Sequence, residues 1–189
     1  MSRIFYDCEF LEDGRTIDLI SIGMVAEDGR ELYAVNEAID DEPLRKRVCR
    51  HRWLMEHVVP HLPLAAGTTV RQPQAQHPGS FHLDSHDNRV MPLRMIRNAV
   101  RDFILATPEV ELWAWYGAYD HVALAQLFGR MINLPKGVPM WTNDLRQEYA
   151  RLGEPDGLPE QSGRVHDALA DARHLKTRAD WLSRFEVIL

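Results

Sequence analysis

An α/β fold built on a mixed β-sheet follows from the order of apolar patterns along the 189 residues. Three strand-like runs come first, joined by short turns, and neighbours of that kind pair antiparallel. Segments of helical and of strand period then alternate toward the C-terminus, which places helices on the faces of the sheet. Hydrophobic content of 45% and charged content of 26% are those of an ordinary globular chain, and the length suits one domain over residues 1–189.

The elements can be justified in order. Arg3 to Phe10 is a short apolar and aromatic run, consistent with a buried strand. Thr16 to Ala26, rich in Ile, Leu and Val, is a second strand, and Asp28-Gly29 marks a hairpin turn into a third at Glu31–Asn36. Leu44, Val48, Leu54, Met55 and Val58 predict a helix from Leu44 to Val59 that Pro60 ends. Residues 67–90 are polar, contain Pro73, Pro78 and Gly79, and lack periodicity, which predicts a flexible surface loop inside the domain. Leu93, Ile96, Val100, Phe103 and Ile104 fall at helical spacing. Val110 to Trp115 reads as a strand and Asp120 to Met131 as a helix that Asp120 begins. Thr142 or Asn143 would cap a helix to about Leu152, and the last helix runs from about Asp167 to Phe185. No internal repeat is evident. A ribonuclease-H-like α/β sandwich fits this order.

The formal charge of −6 argues against a protein that coats nucleic acid by bulk electrostatics. It leaves room for an anionic pocket neutralised by its own cations. Cys8 and Cys49 are too few for a disulfide framework and fit a reducing compartment. The N-terminal residues lack a long apolar stretch, and no run approaches the roughly 18 apolar residues of a membrane span. A cytoplasmic protein with no membrane partner is expected.

Three separated acidic segments carry the chemistry. Asp7 and Glu9 are two apart in a strand, so both project to one face while Cys8 faces away. Paired carboxylates raise one another's pKa unless a cation lies between them, and in a buried strand the pair is costly without a partner. A solvated strand end is the plainer alternative. Asp120 taken alone reads as a helix N-cap or first-turn acid. In His166-Asp167-Ala168-Leu169-Ala170-Asp171, the last acid lies one turn into a helix and the imidazole on the loop before it. That carboxylate can bind a metal while the imidazole accepts a proton from water near neutrality. Taken alone, Asp167 and Asp171 are equally read as acids that suit a helix N-terminus. Together the segments offer four carboxylates and one imidazole, the set a two-metal phosphodiester hydrolase needs. Two Mg²⁺ ions about 3.5–4 Å apart activate water and neutralise the leaving oxygen, and Mg²⁺ takes hard oxygen ligands.

Phe5-Tyr6-Asp7-Cys8-Glu9-Phe10, Tyr119-Asp120 and His166-x-Ala168-x-x-Asp171 resemble the three motifs of the DEDDh 3′–5′ exonucleases, the family containing ribonuclease T and oligoribonuclease. Order and separation match as well, from Ile4 to about Leu182. Glu12-Asp13-Gly14, Ile20-Ser21-Ile22-Gly23, Ala26-Glu27-Asp28-Gly29-Arg30-Glu31 and Leu112-Trp113-Ala114-Trp115 look like its small bacterial polyadenylate-specific exoribonuclease branch. The resemblance implies a ribonuclease-H-like fold, two Mg²⁺ or Mn²⁺ ions, and release of nucleoside 5′-monophosphates from RNA 3′ ends, single-stranded or overhanging a duplex. It implies Asp7, Glu9, Asp120 and Asp171 as metal ligands, Asp7 bridging both ions, His166 as general base, and a homodimer. Many relatives continue the first motif with Thr-Thr-Gly or Ser-Thr-Gly where this chain has Phe10-Leu11-Glu12, and often begin the second with Asn where it has Trp115-Tyr116. Phe10 and Leu11 are expected to support the 3′-terminal base, since aromatic stacking tolerates any base. A core role for Phe10 is the alternative.

Other patterns read as scaffold. Arg45-Lys46-Arg47, Arg50-His51-Arg52 and Arg94, Arg97 and Arg101 fit solvated helix faces. His57 and His61 have zinc-like spacing, but no Glu follows His57 and Pro60 interrupts the helix. His82-x-Asp84-x-His86 fits a solvated loop, and Trp113 and Trp115 fit core. Two competing functions remain: a DNA 3′ exonuclease, since these motifs do not read the 2′-hydroxyl, and a non-catalytic nucleotide-binding module on the same fold.

Overall fold

A strand that outruns its neighbours organises the molecule. The computed structural model describes residues 2–75 and 77–185. Strand β1 (Ser2–Glu12) pairs antiparallel with β2 (Ile17–Ala26), which pairs antiparallel with β3 (Glu31–Asn36), as the short turns require. On the other side of β1, strand β5 (Val110–Ala114) runs parallel, followed by the two-residue β6 (Asn143–Asp144). The two-residue β4 (Val90–Met91) lies parallel to β3 at the opposite edge, giving the order β4-β3-β2-β1-β5-β6. This mixed sheet, with helices on its faces, is the expected α/β architecture.

Alternating side chains of β1 feed both faces. Ile4, Tyr6 and Cys8 join one core with Ile96, Val100 and Ile104 of helix α3 (Leu93–Leu105) and Ala123 and Leu124 of helix α4 (Ala118–Gln126). On the other face Phe5 packs with Leu145 of α5 (Leu145–Arg151) and with Leu175, Ala179 and Leu182 of α6 (Ala168–Leu182). Further along β1, Leu11 belongs to a third cluster with Val48 of α1 (Leu44–Val48), Leu54 and Met55 of α2 (Arg52–His57), Phe81 and Leu83. Asp7 and Glu9 fall between these two apolar clusters. The acids therefore sit in a gap of the helical layer.

Several expectations need correction. The single helix expected over residues 44–59 is two short ones, because the chain turns extended at His51 (φ −87°, ψ 96°), whose side chain then accepts the Leu54 N–H and caps α2. Pro60 lies within a 3₁₀ turn, Val59–His61, where its missing N–H is harmless. Residues 67–90 have little regular structure, yet Phe81 and Leu83 are 1% and 7% exposed and complete the third cluster, so this segment is part of the core and not only surface. Helix α4 begins at Ala118, so Asp120 is its third residue, and it ends at Gln126, well short of Met131. Asp144, rather than Thr142 or Asn143, caps α5 by accepting the Arg146 N–H. Asp167 is the N-cap of α6 rather than its first residue, and the helix ends at Leu182. Trp113 and Trp115 pack against the Phe5 cluster, as their alternation suggests. No described helix is long and apolar enough to cross a membrane.

Candidate active site

The first motif is exposed by the mismatch of β1 and β5. Their pairing covers Ser2–Phe5 against Val110–Trp113, so beyond Phe5 the β1 edge is open on that side. The Cys8 N–H that faces this gap donates to Asp120 Oδ1 at 2.8 Å. Asp120 thus fills the ladder position that β5 vacates, and the tight turn at Gly117 brings it there. A Cβ on Gly117 would lie 2.7 Å from the Ala114 side chain, so only glycine lets α4 start so close to the end of β5.

The third motif is delivered from the other side. Gly23 of β2 stands opposite Asp7, and a Cβ there would come within 2.3 Å of the Ala168 carbonyl group. That bare position lets the first turn of α6 lie directly on the sheet beside Asp7. The helix N-terminus carries partial positive charge, which favours carboxylates at this spot. Asp171 follows one turn into α6. Its Oδ2 accepts the His166 N–H at 2.9 Å, and its Oδ1 accepts the Gln161 side-chain amide. His166 adopts φ +68°, an uncommon region for a non-glycine residue.

Glu9, His166 and Asp171 each present a ligand atom, and the three atoms lie within 4.8 Å of one another. Asp7 and Asp171 line an adjoining cavity of about 460 Å³ together with Trp115, Gln161, His174 and Arg178. The Arg178 guanidinium stacks 4.5 Å over Trp115, and its Nε donates to the Pro159 carbonyl.

Electrostatics report the crowding. Burial, then the neighbouring Asp120, Glu9, Asp171 and Asp167 carboxylates, hold the Asp7 pKa well above the usual range. Glu9 is pushed up to about 8 by burial and by Asp171, Asp120 and Asp167. Asp120 rises to about 6 through burial, although the Cys8 N–H opposes the shift. Burial raises Asp171 too, against the pull of Gln161 and His166. Burial lowers His166, with Asp171 opposing and His57 and His61 assisting, so its imidazole is neutral near pH 7. Four like-charged groups that resist ionisation together, built from hard oxygen donors, suit a divalent cation.

A profile of the Rv2179c-like 3′–5′ exoribonuclease domain matches residues 2–182. The chain belongs to this family. It is 44% identical over 188 residues to the 3′–5′ exoribonuclease Rv2179c of Mycobacterium tuberculosis strain H37Rv, and equally to the 3′–5′ exoribonuclease MT2234.1 of strain CDC 1551. Each match spans 98% of this chain and 92% of the relative. The chain is therefore an enzyme of the 3′–5′ exoribonuclease class. Among solved structures, the Mg²⁺- and Mn²⁺-bound form of S. pombe Pop2p matches with a TM-score of 0.53 at 12% identity, over 98% of this chain and 82% of that one. That likeness is one of fold, the ribonuclease-H-like sheet with its helices.

Within this exoribonuclease domain the five motif residues converge as described, but the two substrate residues part company. Phe10 is half-buried and stacks on Tyr119, with ring centroids 6.0 Å apart and planes 15° apart. Leu11 is 4% exposed inside the third cluster, so it offers no surface to a base; the α1–α2 layer covers it. Other neighbours of the site are not among the expected ligands. Gln161 holds Asp171 from an irregular loop, and Asp167, 6% exposed, adds a fifth carboxylate while capping α6 through the Ala170 N–H. Trp53 and His57 reach His166 from α2. The one pattern that His57 carries in the sequence is its zinc-like spacing to His61. Nothing in its own segment points to His166.

Proposed function

We propose that this enzyme shortens RNA from its 3′ end by two-metal hydrolysis, with Asp7, Glu9, Asp120 and Asp171 holding two divalent cations, Mg²⁺ or Mn²⁺. The observation that carries the reading is the convergence of Glu9, His166 and Asp171 beside Asp7 and Asp120 in a pocket whose acids resist ionisation. S. pombe Pop2p, solved with Mg²⁺ and Mn²⁺, carries such ions on the same fold. Bound cations supply charge neutralisation for the phosphodiester and acidify the attacking water.

The chain's own groups do the rest. Neutral His166 accepts the proton of the attacking water, the role of a DEDDh-type imidazole. Gln161 and the His166 N–H fix the orientation of the Asp171 carboxylate. The bond between phosphorus and the upstream 3′ oxygen breaks, so the last nucleotide leaves as a nucleoside 5′-monophosphate and the shortened RNA keeps a 3′-hydroxyl. Phe10, backed by Tyr119, supports the terminal base. The substrates are single-stranded 3′ ends or 3′ overhangs.

Purified protein is expected to trim a 5′-labelled oligoribonucleotide one nucleotide at a time with Mg²⁺ and to stop in EDTA. Trimming at the wild-type rate in Asp7→Ala or His166→Ala protein overturns the assignment, and faster trimming of the matched DNA strand moves the substrate to DNA. A second copy of this chain is the expected partner. Tyr116, Met140 and Trp141 are each more than half exposed, apolar side chains that such a partner would cover, and a monomer by sedimentation overturns this. Two buried free thiols, Cys8 and Cys49, accord with a cytoplasmic setting.

A further inference from the structure

Trp53 and His57 are four residues apart on α2, hence on one helix face, and both meet the His166 ring. The Trp53 indole is edge-on to the imidazole, with centroids 4.6 Å apart and planes at 72°. His57 lies 5.9 Å from His166 and 5.2 Å from Trp53, closing a three-ring cluster. Edge-to-face rings at such distances attract one another beyond what area burial gives.

His166 needs a wall of this kind. It lies on the loop before α6 at φ +68°, two residues after Arg164 at φ 47°. Backbone in this region persists only where the surroundings hold it. The N–H bond to Asp171 ties the His166 main chain and leaves the side-chain torsions free. The wall itself is firm. Leu54, Met55 and Val58 of the same segment are at most 2% exposed in the third cluster, and His51 caps the helix. Trp53, by contrast, is 43% exposed, so this large apolar ring contributes little to the core.

We propose that Trp53, backed by His57, is a positioning residue that holds the His166 imidazole in line for proton transfer. The inference rests on the reading of His166 as general base given above. Misplacing a reacting group by about 1 Å costs on the order of 100-fold in rate, which sets the expected scale. A half-exposed indole beside a nuclease site has one rival use, stacking on an RNA base, and that use registers in KM rather than kcat.

The test measures Mg²⁺-dependent trimming by wild type, Trp53→Leu, Trp53→Phe, His166→Ala and the double variant Trp53→Leu/His166→Ala. Single-turnover conditions at high enzyme make the slow backgrounds readable. Leucine keeps apolar bulk on α2, so the melting temperature is expected to hold, and a melt checks it. The expected result is a kcat lowered about 10- to 100-fold in Trp53→Leu with KM within about twofold, largely restored in Trp53→Phe. The loss should vanish when His166 is already alanine, because partners that act through one another are not additive. A raised KM with unchanged kcat, or an equal loss in the His166→Ala background, overturns the proposal. Inactive wild-type protein overturns instead the functional reading beneath it, before any variant is compared.

Discussion

Asp7 and Glu9 stand on a sheet face with apolar clusters at either side, and the like charge gathered there has a stability consequence. Glu9 shifts from an ordinary 4.5 to about 8 on folding, and Asp7, Asp120 and Asp171 shift in the same direction. Between those pH values the folded state keeps a proton that the unfolded chain has released. Stability is then fully present below about pH 4.5 and falls as pH rises through about 8. In EDTA the melting temperature should be lower at pH 8 than at pH 5, and Mg²⁺ should raise it most at pH 8. A melting temperature that climbs from pH 5 to pH 8 in EDTA would refute the like-charge account. Glu9→Gln keeps the shape and drops the charge. In EDTA at pH 8 it should melt a few degrees higher, at about 2–4 °C per kcal/mol for a domain of this size. The same variant should lose about 10²–10³-fold or more in RNA hydrolysis. At this scale the five motif residues were legible, because residue type and spacing carry the chemistry. The burial of Leu11 was not legible, since strand alternation says which face a side chain takes and not which helices cover that face.

Helix α6 owes its seat to one missing side chain. Gly23→Ala would set a Cβ 2.3 Å from the Ala168 carbonyl group, against backbone that cannot swing aside. Overpacking of this kind costs about 1–3 kcal/mol, and the displacement would carry Asp171 and His166 away from Asp7. A thermal melt and a trimming assay should both fall, and an unchanged pair would show that α6 does not need this contact. The irregular segment before α6 acts on the site as well. Gln161→Ala removes the amide that holds Asp171, and losing a group that orients a metal ligand weakens metal affinity about 10- to 100-fold. Isothermal titration with Mn²⁺ would read the change. Strands β1, β2 and β3 and helix α3 were legible from their periodicity. Strands β4 and β6 have two residues each, too few to show any period, and the break between α1 and α2 comes from the His51 cap.

The whole molecule gathers the site from β1, the start of α4, and α6 with its preceding loop, so a cation there must tie those segments together. Any ligand that binds only the folded state stabilises it, by about 2.7 kcal/mol at 100 times its Kd. Mg²⁺ is expected to slow amide hydrogen exchange together in Cys8, the first turn of α4 and residues 166–171. Protection confined to one segment would contradict a shared ion site. The sequence by itself determined the order of the longer strands and helices and the chemical set of four carboxylates and an imidazole, because both are written in local spacing and side-chain type. Only the tertiary structure decided that Trp53 walls His166, that Gln161 clasps Asp171 and that Phe81 seals the layer over Leu11. Those choices join segments distant in the chain, where the approach of one backbone to another, as at Gly23, sets which side chains meet.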